Sequence, residues 1–260
     1  MEWRLGILGF PVEHSLTPQL QEEGLRLMGL KGTSRRVAVP KEEAGSVGEL
    51  LANEFDAVSV TMPLKPIMAQ FCTKVSDVAR RTESINSVLR TPDGFHGDST
   101  DGGGLSSALE GEFDLSLAGF HVVVLGSGGA ARAIIDSFVD KGVDSVAVLA
   151  RTQSAVDVLT SAYENVIDYT PTYRPIDLIV NTTPATGRAD EGGVLNGVTS
   201  TTVAVDITYS PPVSPWLQMH ADQGCRIQNG LPMLAYQAAL QMNWWWNADL
   251  RGGDLLKVIQ

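Results

Sequence analysis

Residues 121–139 read HVVVLGSGGAARAIIDSFV, with an apolar run from Val122 to Leu125, a glycine cluster, and apolar positions at Ile134, Ile135, Phe138 and Val139. The spacing predicts a strand, a tight turn and an amphipathic helix. Within it, Gly126-x-Gly128-x-x-Ala131 fits the dinucleotide fingerprint. There the first glycine makes the turn, the second lets a pyrophosphate approach the backbone, and the third small residue lets helix pack on strand. Unpaired amides at the helix start would face the phosphates, and the helix dipole favours their charge. Many glycine-rich turns bind nothing, but the setting between an apolar strand and an amphipathic helix favours a nucleotide site over a turn that only packs.

The chain has 260 residues, enough for two domains. A net charge of -11 argues against nucleic acid or an anionic membrane as partner, since both need a basic footprint. Any anionic ligand must be held by local donors. The two cysteines, Cys72 and Cys225, lie far apart among apolar neighbours and read as buried thiols of a reducing compartment. His14, His96, His121 and His220 show no metal-ligand spacing, so no metal is expected. The N-terminus does not read as a signal peptide and no apolar window is long enough for a membrane span, which predicts a soluble cytoplasmic protein, monomer or homodimer.

Strand and helix alternate along the whole chain, the pattern of an α/β fold. Strands are expected at 3–8, 35–39 and 57–60, and helices at 41–52 and 75–81. Another helix should follow Pro18, with Thr17 as its N-cap. Lys65 falls just past the strand at 57–60, at the edge where open α/β sheets bind ligands, though a lysine there also reads as a solvated surface residue. A strand at 85–90, a turn at Thr91-Pro92-Asp93-Gly94 and a partner strand at 95–97 deliver Asp98-Ser99-Thr100-Asp101, where a domain boundary is expected. Asp101 either caps the next helix or serves a site.

Beyond the nucleotide turn, the strand at 146–149 ends in Ala150-Arg151-Thr152. An arginine with no acid at that strand end favours NADP over NAD, the alternative being a surface arginine. Strands at 176–180, 203–206 and 225–228 follow, ending in Asn181-Thr182-Thr183-Pro184, Ile207-Thr208-Tyr209 and Asn229-Gly230. A helix from 232 runs to Trp244-Trp245-Trp246, whose indoles read as packing, and a last helix covers 250–258.

These motifs together resemble the shikimate dehydrogenase family, in order and from end to end. Gly9-Phe10-Pro11-Val12-Glu13-His14-Ser15-Leu16-Thr17-Pro18 is similar to the family's Gly-x-Pro-x-x-His-Ser-x-Ser-Pro, and Ser59-Val60-Thr61-Met62-Pro63-Leu64-Lys65 to its Asn-Val-Thr-x-Pro-x-Lys. Gly97 to Asp101 resembles Gly-x-Asn-Thr-Asp, Gly126-Ser127-Gly128-Gly129-Ala130 resembles Gly-Ala-Gly-Gly-Ala, and Ala150-Arg151-Thr152 resembles Asn-Arg-Thr. Asp206 to Tyr209, and Asn229 through Gln237, complete the set.

The resemblance implies an N-terminal α/β substrate domain and a Rossmann-like doubly wound domain. Residues 1–101 plus 233–260 would form the first, with the C-terminal helices packed back on it, and residues 102–232 the second. It further implies NADPH-dependent reduction of 3-dehydroshikimate to shikimate in aromatic amino-acid biosynthesis, with Lys65 and Asp101 as the catalytic pair. Ser15, Thr17, Thr61, Asn86, Tyr209 and Gln237 would join that pair in touching substrate. Gly126, Ser127, Gly128, Gly129, Ala130, Ala150, Arg151, Thr152, Thr182, Ile207 and Gly230 would touch NADP.

Ser59, Ser99 and Ala150 stand where the family has asparagine, Glu83-Ser84 where it has a Gly-Ala pair, and Ala155 where a second basic residue often follows the arginine. These departures leave room for an NAD-dependent quinate/shikimate dehydrogenase. A non-catalytic NADP-binding regulatory homologue would be expected to lose Lys65 or Asp101, and both are present. A serine hydrolase built on Gly97-Asp98-Ser99 lacks the Asp-x-x-His and the Gly-x-Ser-x-Gly elbow of such enzymes.

Overall fold

A computed structural model describes residues 2–171, 174–183 and 196–260. The first half holds β1 (Glu2–Gly9), α1 (Thr17–Leu27), β2 (Lys31–Ala38), α2 (Val47–Glu54) and β3 (Ala57–Val60). After these come β4 (Lys74–Val75), α3 (Asp77–Thr82), β5 (Ser87–Thr91) and β6 (Gly94–Asp98). Its strands form a mixed sheet in the order β2-β1-β3-β5-β6-β4, in which the hairpin strand β5 runs antiparallel to both β3 and β6. The helix α4 (Asp101–Phe113) leaves this sheet for the second one.

The second half holds β7 (His121–Leu125), α5 (Gly129–Asp140), β8 (Ser145–Leu149), α6 (Gln153–Ala162), β9 (Val166–Asp168), β10 (Leu178–Asn181) and β11 (Val203–Asp206). After these come α7 (Pro215–Ala221), β12 (Arg226–Gln228), α8 (Leu231–Trp246) and α9 (Gly252–Leu256). The second sheet is parallel throughout, ordered β12-β11-β10-β7-β8-β9. This is the doubly wound arrangement with its topological switch beside β7.

The apolar runs follow from burial on both faces. Val122 and Val124 enter one core cluster with Leu178, Val180 and Phe138, whereas Val123 and Leu125 enter another with Ile179 and Ala204. A strand covered on both sides needs apolar residues at every position, so no alternation is visible in its sequence.

The C-terminal helices close on the first sheet. Ala235, Ala238 and Ala239 of α8 pack with Leu20 of α1, and Met242 and Trp245 with Leu5, Leu25 and Ala57. Trp246 meets Trp3 edge to face at 5.2 Å, so the indoles are packing.

Helices α4 and α8 approach closely because Gly104 has no side chain. A Cβ there would lie 2.5 Å from the Cβ of Gln237. Gly104→Ala is therefore expected to force the helices apart, costing about 1–3 kcal/mol of stability as overpacking does. Thermal unfolding checks this, and an unchanged Tm would show that the helices can yield.

Several local expectations differ from the structure. Helix α1 starts at Thr17 with Leu16 as its N-cap, and no side chain caps it. The Thr17 hydroxyl is instead taken up by Ser15 Oγ, which donates to it at 3.1 Å. Residues 41–46 form a 3-10 turn ahead of α2, and the segment expected as a helix from 75 begins with the short strand β4. Asp101 is the first residue of α4 rather than its cap, which is Thr100. Pro184 lies outside the described residues.

Candidate active site

Strand β3 ends at Val60, and the chain turns through Thr61 and a buried Leu64 to place Lys65 at the carboxyl edge of the first sheet. The hairpin β5–β6 then brings Asp101 to the same edge. Lys65 Nζ donates to Asp101 Oδ2 at 2.6 Å, with side chains 17 % and 4 % exposed. So little exposure requires the carboxylate to be paired, and Asn86 completes the pairing by donating from Nδ2 to Asp101 Oδ1 at 2.8 Å. The first turn of α4 adds the favourable end of a helix dipole to that carboxylate.

A cavity of about 230 Å³ opens over this pair. Its walls include Ser15 and Thr61 from loops of the first sheet, Thr17 from the start of α1, Gln237 from α8, and Tyr209 from the segment that follows β11. Asn86, 1 % exposed, stands behind the wall and holds it. Its Nδ2 also donates to Gln237 Oε1 at 2.6 Å, and its Oδ1 accepts from the Thr100 amide at 2.8 Å. At the far end, the Ser15 carbonyl accepts from Arg36 Nε at 2.8 Å. Burial pushes the Tyr209 phenol's pKa up, while the Leu16 backbone and the Arg36 charge pull it back.

The second cluster lies at the carboxyl edge of the parallel sheet. Gly126 has φ +110, a conformation that L side chains rarely adopt, and a Cβ there would strike Thr182 Oγ1. A Cβ on Gly128 would meet nothing within 4 Å, so open space adjoins the backbone where a pyrophosphate is expected. In α5 the amide of Arg132 bonds the Gly128 carbonyl at 3.0 Å, and the amides of Gly129, Ala130 and Ala131 precede it with no intrahelical acceptor. Ser127 sits in the turn.

Ala150, Arg151 and Thr152 follow β8, with Arg151 exposed. Thr182 follows β10 and donates to the Leu125 carbonyl at 2.7 Å. Gly230 lies so close to Ile207 that a Cβ would strike its carbonyl. A glycine cradle, orphan amides and an exposed cation fit a dinucleotide phosphate.

Ion pairs between α3, beside the first sheet, and α5, beside the second, tie the two clusters together. Arg81 of α3 donates to the buried Asp136 of α5 at 2.8 and 2.9 Å, and Glu83 pairs with Arg132. The pocket also contains residues that the sequence did not single out for it, Ser59, Glu13, His14, Leu234 and Gln241 among them. For Gln241 a signal existed, since it follows Gln237 by four residues and shares its helix face.

Among the described residues no helix is long and apolar enough to cross a membrane. The family model described as shikimate dehydrogenase substrate binding domain matches residues 7–88. The shikimate dehydrogenase (NADP(+)) of Geobacillus kaustophilus is 31 % identical over 260 residues, covering 94 % of this chain and 93 % of its own length. The crystal structure of shikimate dehydrogenase from Aquifex aeolicus superposes with a TM-score of 0.88 at 26 % identity, covering 100 % of this chain and 98 % of that one. Shikimate 5-dehydrogenase from Thermus thermophilus, in complex with NADP(H) and shikimate, gives 0.85 at 29 % identity and 98 % of each chain.

Proposed function

The chain belongs to the shikimate dehydrogenase family of NADP-dependent oxidoreductases, and we propose that Lys65 and Asp101 carry its reaction, the reduction of 3-dehydroshikimate to shikimate by NADPH. The observation that carries this reading is the ion pair at the floor of a pocket walled by both lobes. When bound, the reduced dinucleotide supplies a hydride to the ketone carbon. The carbonyl oxygen then gains negative charge, which the Lys65 ammonium stabilises and quenches with a proton. Asp101 keeps the ammonium in place and has lone pairs left to accept from a neighbouring ring hydroxyl, which fixes the ketone's orientation.

The hydroxyls of Ser15, Thr17 and Tyr209 bind the substrate carboxylate. Thr61 and Gln237 flank the ring, and Asn86, buried behind them, acts on it through the Asp101 and Gln237 side chains that it holds. The NADP contacts are Gly126, Ser127, Gly128, Gly129, Ala130, Ala150, Arg151, Thr152, Thr182, Ile207 and Gly230. In this reading residues 1–101 and 233–260 are the substrate lobe and residues 102–232 the cofactor lobe. The enzyme serves aromatic amino-acid biosynthesis in the cytoplasm, as a monomer or homodimer.

Loss of absorbance from NADPH with 3-dehydroshikimate tests the activity, and the reverse assay with shikimate and quinate tests its range. Turnover is expected with NADPH and 3-dehydroshikimate. Equal or better use of NADH would overturn the cofactor assignment, and quinate turning over faster than shikimate would overturn the substrate.

A further inference from the structure

A continuous chain of hydrogen bonds runs beneath the pocket from the edge strand β2 to the ion pair. Ser34 Oγ donates to Gln21 Oε1 at 2.5 Å, Gln21 Nε2 to Ser59 Oγ at 3.0 Å, and Ser59 Oγ to Gln241 Oε1 at 2.5 Å. Gln241 Nε2 donates to Gln237 Oε1 at 3.3 Å, the same oxygen that accepts from Asn86. Gln21 is fully buried, and Ser59 and Gln241 are 4 % and 1 % exposed.

The direction of each bond is fixed by a group that cannot reverse its role. The Gly6 carbonyl accepts from Gln21 Nε2 at 3.3 Å, so that amide's oxygen must face Ser34. The Asn86 carbonyl accepts from Gln241 Nε2 at 3.2 Å, so the oxygen of Gln241 must face Ser59, whose one proton is thereby committed. Asn86 is oriented independently, by the Thr100 amide on its oxygen and by Asp101 on its nitrogen. Two donors therefore converge on the Gln237 oxygen, and only its amide nitrogen is left to serve the pocket.

We propose that Gln21, Ser59 and Gln241 are positioning residues that hold Gln237 as a hydrogen-bond donor, so that the pocket selects a ring hydroxyl able to accept from Gln237 while donating to Asp101. The proposal rests on the substrate reading above. An acceptor at one side and a donor at the other match a hydroxyl, whereas an ether or a missing oxygen leaves a buried polar group unpaired. Ser59, which stands in place of the family's asparagine, is short enough to admit the long side chain of Gln241 from α8.

The test compares Ser59→Ala, Gln241→Met and Gln241→Glu with the parent enzyme. Ser59→Ala and Gln241→Met should each raise KM for 3-dehydroshikimate about tenfold, with kcat and the KM for NADPH within about threefold of the parent. Gln241→Glu should add a fall in kcat/KM with rising pH that the methionine variant lacks, because an ionised carboxylate turned toward Gln237 Oε1 repels it and reverses its amide. The substitution Ser59→Ala removes one oxygen and decides the matter if the Gln241 variants do not fold. A substrate KM within twofold of the parent overturns the relay, as does an equal rise in KM for NADPH. Shikimate titrated calorimetrically into the parent keeps the premise separate, since a parent that neither binds nor oxidises shikimate overturns the substrate reading itself.

Discussion

Lys65→Ala is expected to lower kcat for 3-dehydroshikimate reduction by about 10³-fold and to leave the affinity for NADPH within about twofold. The ammonium is asked to do two things, stabilise a developing alkoxide and deliver a proton, and each is worth roughly 10²–10⁴-fold when its group is removed. Its hydrogen bond to the Asp101 carboxylate, at 2.6 Å, holds it in place. The glycine turn proposed to hold the dinucleotide follows β7 of the second sheet, so NADPH fluorescence titration should not register the loss. Asp101→Asn should also fall steeply, because the ammonium then loses its counter-charge within a nearly closed site. Steady-state kinetics of the purified variants decide this, and turnover of Lys65→Ala within tenfold of the parent would remove Lys65 from the chemistry.

The strands that carry the site were legible because they are buried on both faces, which writes them as unbroken runs such as Val122 to Leu125. Elements that lack such a run were not. The strand β9 has three residues and exposes Ile167, and α7 has seven, announced only by Ser214 and Pro215 at its start. Helix α6 exposes Val158 among β-branched and hydroxyl residues, which weakens its helical signal. Lys65 and Asp101 stand out only through the motifs that carry the family resemblance; taken singly, the lysine also reads as a solvated surface residue and the aspartate equally as a helix cap. What joins them is the β5–β6 hairpin, and the pairing partner of a strand is a property of the whole sheet. The Ser59–Gln241 contact spans 182 residues and was invisible for the same reason.

Arg151→Ala is expected to raise KM for NADPH by about 10–100-fold while leaving KM for NADH nearly unchanged. That magnitude follows from the roughly 1.5–3 kcal/mol that a hydrogen bond to a charged group contributes. Arg151 follows β8 at the position where a 2'-phosphate is accommodated, and it is exposed. A second cation is missing from the neighbouring turn, since Ala155 starts no such contact. The carboxylates nearby, Asp157 and Asp168, both accept from Gln153 Nε2, at 3.1 and 2.9 Å. With one guanidinium at that strand end, most of the preference for the phosphorylated cofactor is expected to rest on Arg151. The variant should therefore use the two cofactors with similar kcat/KM. A preference for NADPH that survives the substitution would place the 2'-phosphate against other donors and remove Arg151 from the cofactor site.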